Sequence, residues 1–407
     1  MRIGQTNNDA DSSSRRRGTW SEVLAAFLRL GLTSFGGPVA HLSYFREEFV
    51  NRRKWLDDRS YADVIALCQF LPGPASSQVG IAIGLSRAGY PGALAAWVGF
   101  TLPSALLMTL FGYGLGWFAA DSRWLHGLKV AAVAVVAQAV LGMALTLAPD
   151  RLRATLAVLA AVIALAMPTA LGQIGAMLLG GAFGGALLRN EIAKEPSSLP
   201  LQVSRWVGGG LLVLFVALLL GLPLLATAMP SQALNEFDAF YRAGSLVFGG
   251  GHVVLPLLQA SVVPAGWVSN DAFLAGYGAA QAVPGPLFTF AAYLGTVMRP
   301  QPNGWLGALI CLIAIFLPSF LLVMGTLPFW EELRRRSIAQ AVLRGVNAAV
   351  VGLLLAALYR PVWTSGITDA ADFCLAISAF LLLFMWKTPP WLVVILSAVA
   401  GALVPSF

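Results

Sequence analysis

The chain has 407 residues, of which 58% are hydrophobic and 11% are charged. Water-soluble globular domains carry about 25% charged residues, so this composition excludes a soluble protein. The net charge of +7 does not indicate nucleic-acid binding, because most basic residues lie in the polar N-terminus or in short loops between apolar segments. Basic residues at such positions orient a membrane protein.

Apolar segments of the length that crosses a bilayer follow one another along the chain. A polar N-terminal tail, 1–18, precedes them, and a hydrophilic stretch, 189–200, interrupts them in the middle. In chain order the predicted segments are 23–45, 61–86, 91–118, 128–148, 153–167, 170–188, 206–229, 238–263, 271–298, 304–329, 341–359, 371–386 and 389–405. The sequence therefore predicts an all-α integral membrane protein.

The two halves of the chain repeat each other. Three groups of residues in the first half return in the second half in the same order, 212 to 215 residues later. The first group, Phe27-Leu28-Arg29-Leu30-Gly31 followed by Phe35-Gly36-Gly37, returns as Phe240-Tyr241-Arg242-Ala243-Gly244 followed by Phe248-Gly249-Gly250. The second, Gln69 followed by Pro72-Gly73-Pro74, returns as Gln281 followed by Pro284-Gly285-Pro286, and the third, Leu102-Pro103-Ser104, returns as Leu317-Pro318-Ser319. Duplication on this scale in an apolar chain is typical of secondary transporters.

The repeat divides the chain into a first repeat at 19–188, a linker with an extra transmembrane helix at 189–237, and a second repeat at 238–407. The segment near 206–229 has no counterpart in the first half. Because it adds one membrane crossing, it reverses the second repeat relative to the first. The sequence therefore predicts two inverted repeats.

The distribution of basic residues predicts which loops face the cytoplasm. Loop 46–60 contains a cluster of arginines and a lysine, whereas its equivalent, 264–270, contains neither. The first loop should be cytoplasmic and the second external. The arginine-rich N-terminus should also be cytoplasmic, so 23–45 cannot be a simple crossing. We expect 23–45 and 61–86 to be re-entrant hairpins, broken at the glycine pair and at Pro-Gly-Pro.

The Pro-Gly-Pro turns are the strongest candidates for a binding site. Proline cannot continue a helix, and a broken backbone at membrane depth is tolerated only where protein or a watery cavity satisfies it. Each turn should leave amides exposed at the start of a half-helix, where an anion is favoured. The predicted substrate-binding residues of these elements are Gly36, Gly37, Gln69, Pro72, Gly73, Pro74, Ser76, Ser77, Gly249, Gly250, Gln281, Pro284, Gly285, Pro286 and Thr289.

Arg29 and Arg242 are the cations placed inside the first apolar segment of each repeat. A buried arginine in a membrane segment is costly and usually functional, and its planar fork of donors suits an oxyanion. The alternative for Arg29 is that its side chain extends to the membrane surface. Acidic residues are expected only in loops or at segment ends. The sequence therefore predicts an anion site without a metal.

Each repeat also contains a histidine and a Leu-Pro-Ser element. His41 and His252 follow the glycine pairs and titrate near neutral pH, so they are candidates for proton coupling as well as for a structural role. Leu102-Pro103-Ser104 and Leu317-Pro318-Ser319 are interpreted as structural kinks.

These motifs make the chain similar to the chromate ion transporter family, in its long form with two repeats. The resemblance implies export of chromate across the bacterial inner membrane by a proton-driven antiporter that confers chromate resistance. It also implies a response to sulfate, which has the same tetrahedral shape and charge. The second copy departs from the first at Gly251, where the first has Pro38, and at Ala282-Val283, where the first has Phe70-Leu71. The repeats are therefore not expected to have equal roles.

We expect a multi-pass transporter of the inner membrane, not an enzyme, without a cofactor. Its expected partners are chromate or sulfate and membrane lipids, with no nucleic acid, and a homodimer remains open. Alternatives are a transporter of sulfate or another oxyanion and an uncoupled anion channel. A membrane enzyme acting on lipid phosphates is disfavoured, because the apolar segments contain no group of nucleophile, acid–base or metal-binding residues.

Overall fold

The computed structural model describes residues 18–118, 123–188 and 203–403. These residues form α-helices joined by short turns. In chain order the helices are α1 (Trp20–Thr33), α2 (Gly37–Arg46), α3 (Asp58–Phe70), α4 (Ala75–Phe118), α5 (Arg123–Leu147), α6 (Arg151–Ala166), α7 (Ala170–Leu187), α8 (Arg205–Ala228), α9 (Gln232–Leu246), α10 (Val254–Val262), α11 (Asn270–Ala280), α12 (Phe290–Val297), α13 (Gly304–Thr326), α14 (Trp330–Arg334), α15 (Ser337–Ala357), α16 (Thr364–Gly366), α17 (Ala370–Phe384) and α18 (Pro390–Leu403). The predicted tail at 1–18, except its last residue, and the stretch 189–200 lie outside the described residues.

Several of these helices are long and apolar enough to cross a membrane. Among the described residues they are Ala75–Gly114, Arg123–Leu147, Ala170–Leu187, Arg205–Ala228, Gly304–Arg334 and Ser337–Gly366. The prediction of a multi-pass, all-helical membrane protein is confirmed.

The helices of the two halves correspond in order. α1, α2 and α3 correspond to α9, α10 and α11, and α5, α6 and α7 correspond to α15, α17 and α18. α4 bends at Ala88 and Gly89, where the backbone leaves the helical conformation. Its two arms, before and after the bend, correspond to α12 and α13. The duplication seen in the sequence is thus a duplication of the fold.

The first repeat begins with two helical hairpins whose open ends lie together. The amide of Gly18, before α1, donates to the carbonyl oxygen of Arg87, at the end of the first arm of α4, at 2.9 Å. Arg87 also pairs with Glu22 at 3.2 Å, and Arg53, in the loop after α2, lies 3.8 Å from Glu22. We call this side of the molecule the basic end: residues 18–22, 46–58 and 86–91. The chain leaves the basic end and returns to it twice.

The corresponding hairpins of the second repeat open on the opposite side. The amide of Arg299, after α12, donates to the carbonyl oxygen of Trp267, before α11, at 2.9 Å. The amide of Trp305 donates to the hydroxyl oxygen of Tyr113 at 3.1 Å, which places the end of α4 on the same side. We call this side the far end: residues 263–271, 298–305 and the end of α4. Because the second arm of α4 runs from the basic end to the far end, the two repeats have opposite orientations.

α8 is the extra helix that produces this inversion. Arg205, at its start, pairs with Glu332 at 2.7 Å, and Gly208 packs closely against Pro328. Only 6% of its apolar stretch is buried, so α8 lies at the periphery with most of its surface available to lipid. The helix carries the chain across between the two repeats.

The two repeats exchange their C-terminal helices. α5 packs against α17 and α18 of the second repeat, whereas α15 packs against α6 and α7 of the first. Glycines allow the close approach: a Cβ atom at Gly345 would collide with the carbonyl oxygen of Gly180, and one at Gly127 would collide with that of Ser397. Small residues commonly permit such close helix contacts in membranes. The repeats therefore form one interlocked body.

One prediction about the second repeat was wrong. α9 begins at Gln232 rather than at 238, and its early turns contain two buried acidic residues, Glu236 at 0% and Asp238 at 4% exposure. Acidic residues had been expected only in loops or at segment ends. The polar residues around Asn235 lower the local hydropathy, but tertiary packing buries Glu236 and Asp238 in the helix nonetheless.

Candidate functional site

Each Pro-Gly-Pro turn is hydrogen-bonded to the other repeat. The amide of Gly73 donates to the carbonyl oxygen of Val247 at 2.6 Å, and the amide of Gly285 donates to that of Ser34 at 2.9 Å. Ser34 directly follows the last residue of α1, and Val247 directly follows the last residue of α9, so the two carbonyl groups occupy equivalent positions. The four broken helices are therefore joined by a reciprocal pair of hydrogen bonds between the repeats.

The turns require glycine for a geometric reason. Gly73 has φ of 125° and Gly285 has φ of 96°, backbone conformations that side chains strongly disfavour. α3 ends at Phe70 and α4 begins at Ala75, since the prolines at 72 and 74 interrupt the helical hydrogen bonding. The predicted break is present. The amides of Gly73 and Gly285 themselves, which had been expected to face an anion, are used to join the repeats.

Two serines complete the contacts around the glycines. A Cβ atom at Gly73 would lie 3.0 Å from Oγ of Ser319, and one at Gly285 would lie 2.8 Å from Oγ of Ser104. Each serine belongs to the Leu-Pro-Ser element of the opposite repeat. These elements were predicted only as kinks, although their recurrence in step with Pro-Gly-Pro was a signal that the two kinds of element lie together in the fold.

Several buried polar atoms at this junction have no hydrogen-bond partner among the described residues. They are Ser34 Oγ, Ser77 Oγ, Gln78 Oε1 and Ser319 Oγ. An unpartnered buried polar group costs about 1–3 kcal/mol, and buried polar groups in native proteins are nearly always hydrogen-bonded. Such a concentration is typical of a site that binds a polar ligand.

The two histidines lie close to the glycine turns but contact different groups. Nδ1 of His41 lies 3.3 Å from Oγ of Ser76, and the imidazole packs edge-on against Phe100. Nδ1 of His252 lies 2.8 Å from the hydroxyl of Tyr277. His41 is therefore connected to the start of α4, where the anion was predicted, whereas His252 is connected to α11.

The two arginines have different surroundings. Arg29 is exposed on α1, and no described residue forms an ion pair with it. Arg242 is 34% exposed and pairs with the buried Asp238 at 2.7 Å, one turn earlier in α9. The position equivalent to Asp238 in the first repeat is Ala25. The charge of Arg242 is therefore largely compensated, whereas that of Arg29 is not.

The remaining predicted residues differ in whether their polar groups are free to contact a ligand. The hydroxyl of Thr289 donates to the carbonyl oxygen of Pro286 at 2.9 Å, so this donor is already used. Gln69 is exposed near the end of α3, whereas Gln281 is partly buried. The glycines at 36, 37, 249 and 250 all have positive φ, which allows the sharp turns between α1 and α2 and between α9 and α10.

Two oppositely oriented helical repeats, with broken helices that are hydrogen-bonded to each other across the repeats, define this protein as a membrane transporter of the inverted-repeat class. The chain belongs to the chromate transporter family, whose sequence pattern matches residues 21–186 and 234–402. The family match thus covers both repeats.

Curated relatives support the same assignment. The chromate transport protein of Pseudomonas aeruginosa is 28% identical over 83% of this chain and 79% of its own length. A probable chromate transport protein of Synechococcus elongatus is 26% identical over 93% of both chains. The chromate transport protein of Cupriavidus metallidurans is 26% identical over 84% of this chain and 82% of its own. No solved structure matches the chain significantly.

Proposed function

We propose that this protein is a secondary transporter that exports chromate across the bacterial inner membrane, is driven by the proton-motive force and confers chromate resistance. One observation carries the proposal: the Pro-Gly-Pro turns of opposite repeats meet at a junction rich in buried, unpartnered polar atoms. A divalent tetrahedral oxyanion is a compact ligand that several hydroxyl and amide donors can surround. The family and the names of its curated members agree with chromate as the substrate.

Helix lengths and charges support the position in the membrane that we propose for the protein. α1 and α3 have 14 and 13 residues, about 20 Å at 1.5 Å per residue, which is shorter than the hydrocarbon core of about 30 Å. The hairpins are therefore re-entrant in this proposal, with their broken tips near the membrane centre. The basic end, rich in arginine, is cytoplasmic, and the far end is external.

Each group of predicted residues has a role in this scheme. The turns at Gly73 and Gly285 join the two repeats around the central site, and Arg29 and Arg242 attract the anion towards it. His41 and His252 exchange the coupling protons.

The lysine variants Arg29→Lys and Arg242→Lys keep the charge but lose the bidentate fork of donors, so both should transport less chromate at equal protein levels. The first repeat spans 19–188, the linker with its extra helix follows it, and the second repeat, placed at 238–407 from the sequence, also takes in the early turns of α9.

Transport into inside-out membrane vesicles tests the proposal. Vesicles that contain the protein should take up radiolabelled chromate faster than vesicles without it, and an imposed gradient with an acidic lumen should accelerate the uptake. Uptake that does not respond to the gradient indicates an uncoupled anion channel. Uptake of sulfate in preference to chromate indicates a sulfate transporter. Either result refutes the proposed function.

A further inference from the structure

The two Pro-Gly-Pro turns have the same backbone but different side chains around them. Next to Gly73, the first turn of α4 contributes Ser77 and Gln78, and the second repeat contributes Ser319. At the equivalent positions next to Gly285 stand Thr289, Phe290 and Ser104. The backbone symmetry of the junction is therefore not matched by a symmetry of polar groups.

The hydrogen bonds of these side chains sharpen the difference. At the second turn, the hydroxyl of Thr289 donates to the carbonyl oxygen of Pro286 at 2.9 Å, and that of Ser104 donates to the carbonyl oxygen of Thr101 at 3.0 Å. Phe290 has no polar side-chain atom. These hydroxyl protons are thus already used within the protein, and the second turn has little left to offer an anion.

At the first turn, the hydroxyls of Ser77 and Ser319 have no hydrogen-bond partner in the part of the chain that the structure describes. Ser77 is 3% and Ser319 is 0% exposed, so neither is compensated by open solvent. The amide nitrogen of Gln78 is already used, because Nε2 donates to the carbonyl oxygen of Pro72 at 2.6 Å. Gln78 therefore holds the turn, while the two serine hydroxyls are available as donors.

We propose that each chain binds a single oxyanion, at the Gly73 turn, and that Ser319 of the second repeat donates its hydroxyl to this anion. The proposal rests on the proposed function, since it assumes that an oxyanion is the substrate. The anion lies at the start of the first arm of α4, where the amides of the first helical turn have no helical acceptor and the helix dipole favours negative charge. The Gly285 turn has a structural role.

The position of Ser319 explains why the site spans both repeats. Its Oγ lies 3.0 Å from the place of a Cβ atom at Gly73, directly against the turn that precedes α4. A bound anion would therefore contact the first repeat through α4 and the second through Ser319. Movement of one repeat against the other, the usual basis of alternating access, would then change the number of donors around the anion.

Ser104 provides a matched control, because it is the equivalent residue at the other turn. In the purified full-length protein, we expect Ser319→Ala to weaken chromate binding about tenfold or more, since a hydrogen bond to a charged group contributes about 1.5–3 kcal/mol. Ser104→Ala should change chromate affinity by less than about twofold. Ser319→Cys, which keeps the size but offers a weaker donor, should bind with intermediate affinity. Calorimetry should find one chromate per chain.

Thermal unfolding without ligand distinguishes a binding role from a structural one. Ser319→Ala removes an unpartnered buried hydroxyl, so its midpoint should equal or exceed that of the wild type. Ser104→Ala removes a hydrogen bond, so its midpoint should be lower. The inference is overturned if Ser319→Ala binds chromate as tightly as wild type, if Ser104→Ala loses as much affinity as Ser319→Ala, or if two anions bind. A wild type that binds neither chromate nor sulfate overturns the proposed function as well.

Discussion

The first repeat is polar at its broken helix ends, whereas the second is aromatic and tightly packed. Where the first has Ser34, Ser76 and Gln78, the second has Val247, Phe288 and Phe290. Phe290 is fully buried and packs against Phe273, Tyr277 and Tyr293. Both repeats nevertheless keep Pro-Gly-Pro, because the reciprocal hydrogen bonds of Gly73 and Gly285 require the same backbone on both sides.

This comparison separates two demands on a duplicated membrane protein. The repeats are joined through their backbone, and glycine and proline provide the required backbone conformation in both copies. Binding a ligand depends on side chains, and these differ between the copies. The second repeat also carries the buried acidic residues Glu236 and Asp238, whose equivalents in the first are Val23 and Ala25. A common fold can therefore accommodate different chemistry in its two halves.

The largest expected effect comes from a branched side chain at either turn. Gly73→Val and Gly285→Val should both abolish chromate transport, because each places a Cβ at a φ that favours glycine and against the opposite repeat. Gly210→Val is the control: Gly210 lies in α8 with open space around its Cβ position, so transport should continue. Vesicle uptake at matched protein levels measures all three. A Gly73→Val protein that transports at the wild-type rate would show that the turn is not required.

Alanine at the same positions should separate binding from stability. At Gly73 the new Cβ meets the side chains of Gln78 and Ser319, which can shift, so chromate affinity should fall more than stability. At Gly285 it lies 2.8 Å from Ser104 Oγ and 3.1 Å from the carbonyl oxygen of Phe100, and backbone cannot move as easily. Gly285→Ala should therefore have the lower unfolding midpoint and Gly73→Ala the weaker chromate binding. The reverse assignment would contradict a binding role for the first turn.

A smaller difference between the repeats is expected for the effect of Arg242 and Arg29 on stability. Arg242→Ala leaves Asp238 buried without its partner, which should destabilise the protein by about 2 kcal/mol, less than for a fully buried ion pair. The double variant Arg242→Ala with Asp238→Asn should recover part of this loss. Arg29→Ala, at the equivalent position without an acidic neighbour, should leave the unfolding midpoint unchanged. Equal destabilisation by Arg29→Ala and Arg242→Ala would show that the ion pair does not account for the difference.

The last contrast concerns the sides of the membrane and should leave activity unchanged. Asn51, at the basic end, and Ala265, at the far end, are both exposed. Each is replaced by cysteine in a chain whose cysteines at 68, 311 and 374 have been changed to alanine. A membrane-impermeant thiol reagent should label Ala265→Cys in intact cells and Asn51→Cys only in inside-out vesicles. Labelling of both from the outside would refute the inverted arrangement, and labelling of Asn51→Cys alone would refute re-entrant hairpins that start in the cytoplasm.

Much of the architecture was predictable from the sequence because it depends on local chemistry. Low charge content predicted the membrane, and the duplicated glycines and prolines predicted both the repeat and the places where helices break. The extra segment near 206–229 predicted the inversion, and the structure confirms it. These features follow from the backbone preference or the hydropathy of each residue, and both are properties that the sequence contains.

The tertiary structure decided which residues of the two halves meet. No local pattern showed that Ser319 would lie against Gly73, that Asp238 would be buried with Arg242, or that α5 would pack against α17 and α18. These contacts join residues that are far apart in the chain, and their energies depend on burial and on partners that a linear pattern does not contain. For the same reason, the sequence by itself determined a duplicated helical transporter with two similar turns, whereas only the folded chain showed that the hydroxyl groups at one turn are hydrogen-bonded and that Ser77 and Ser319 at the other have no partner among the described residues.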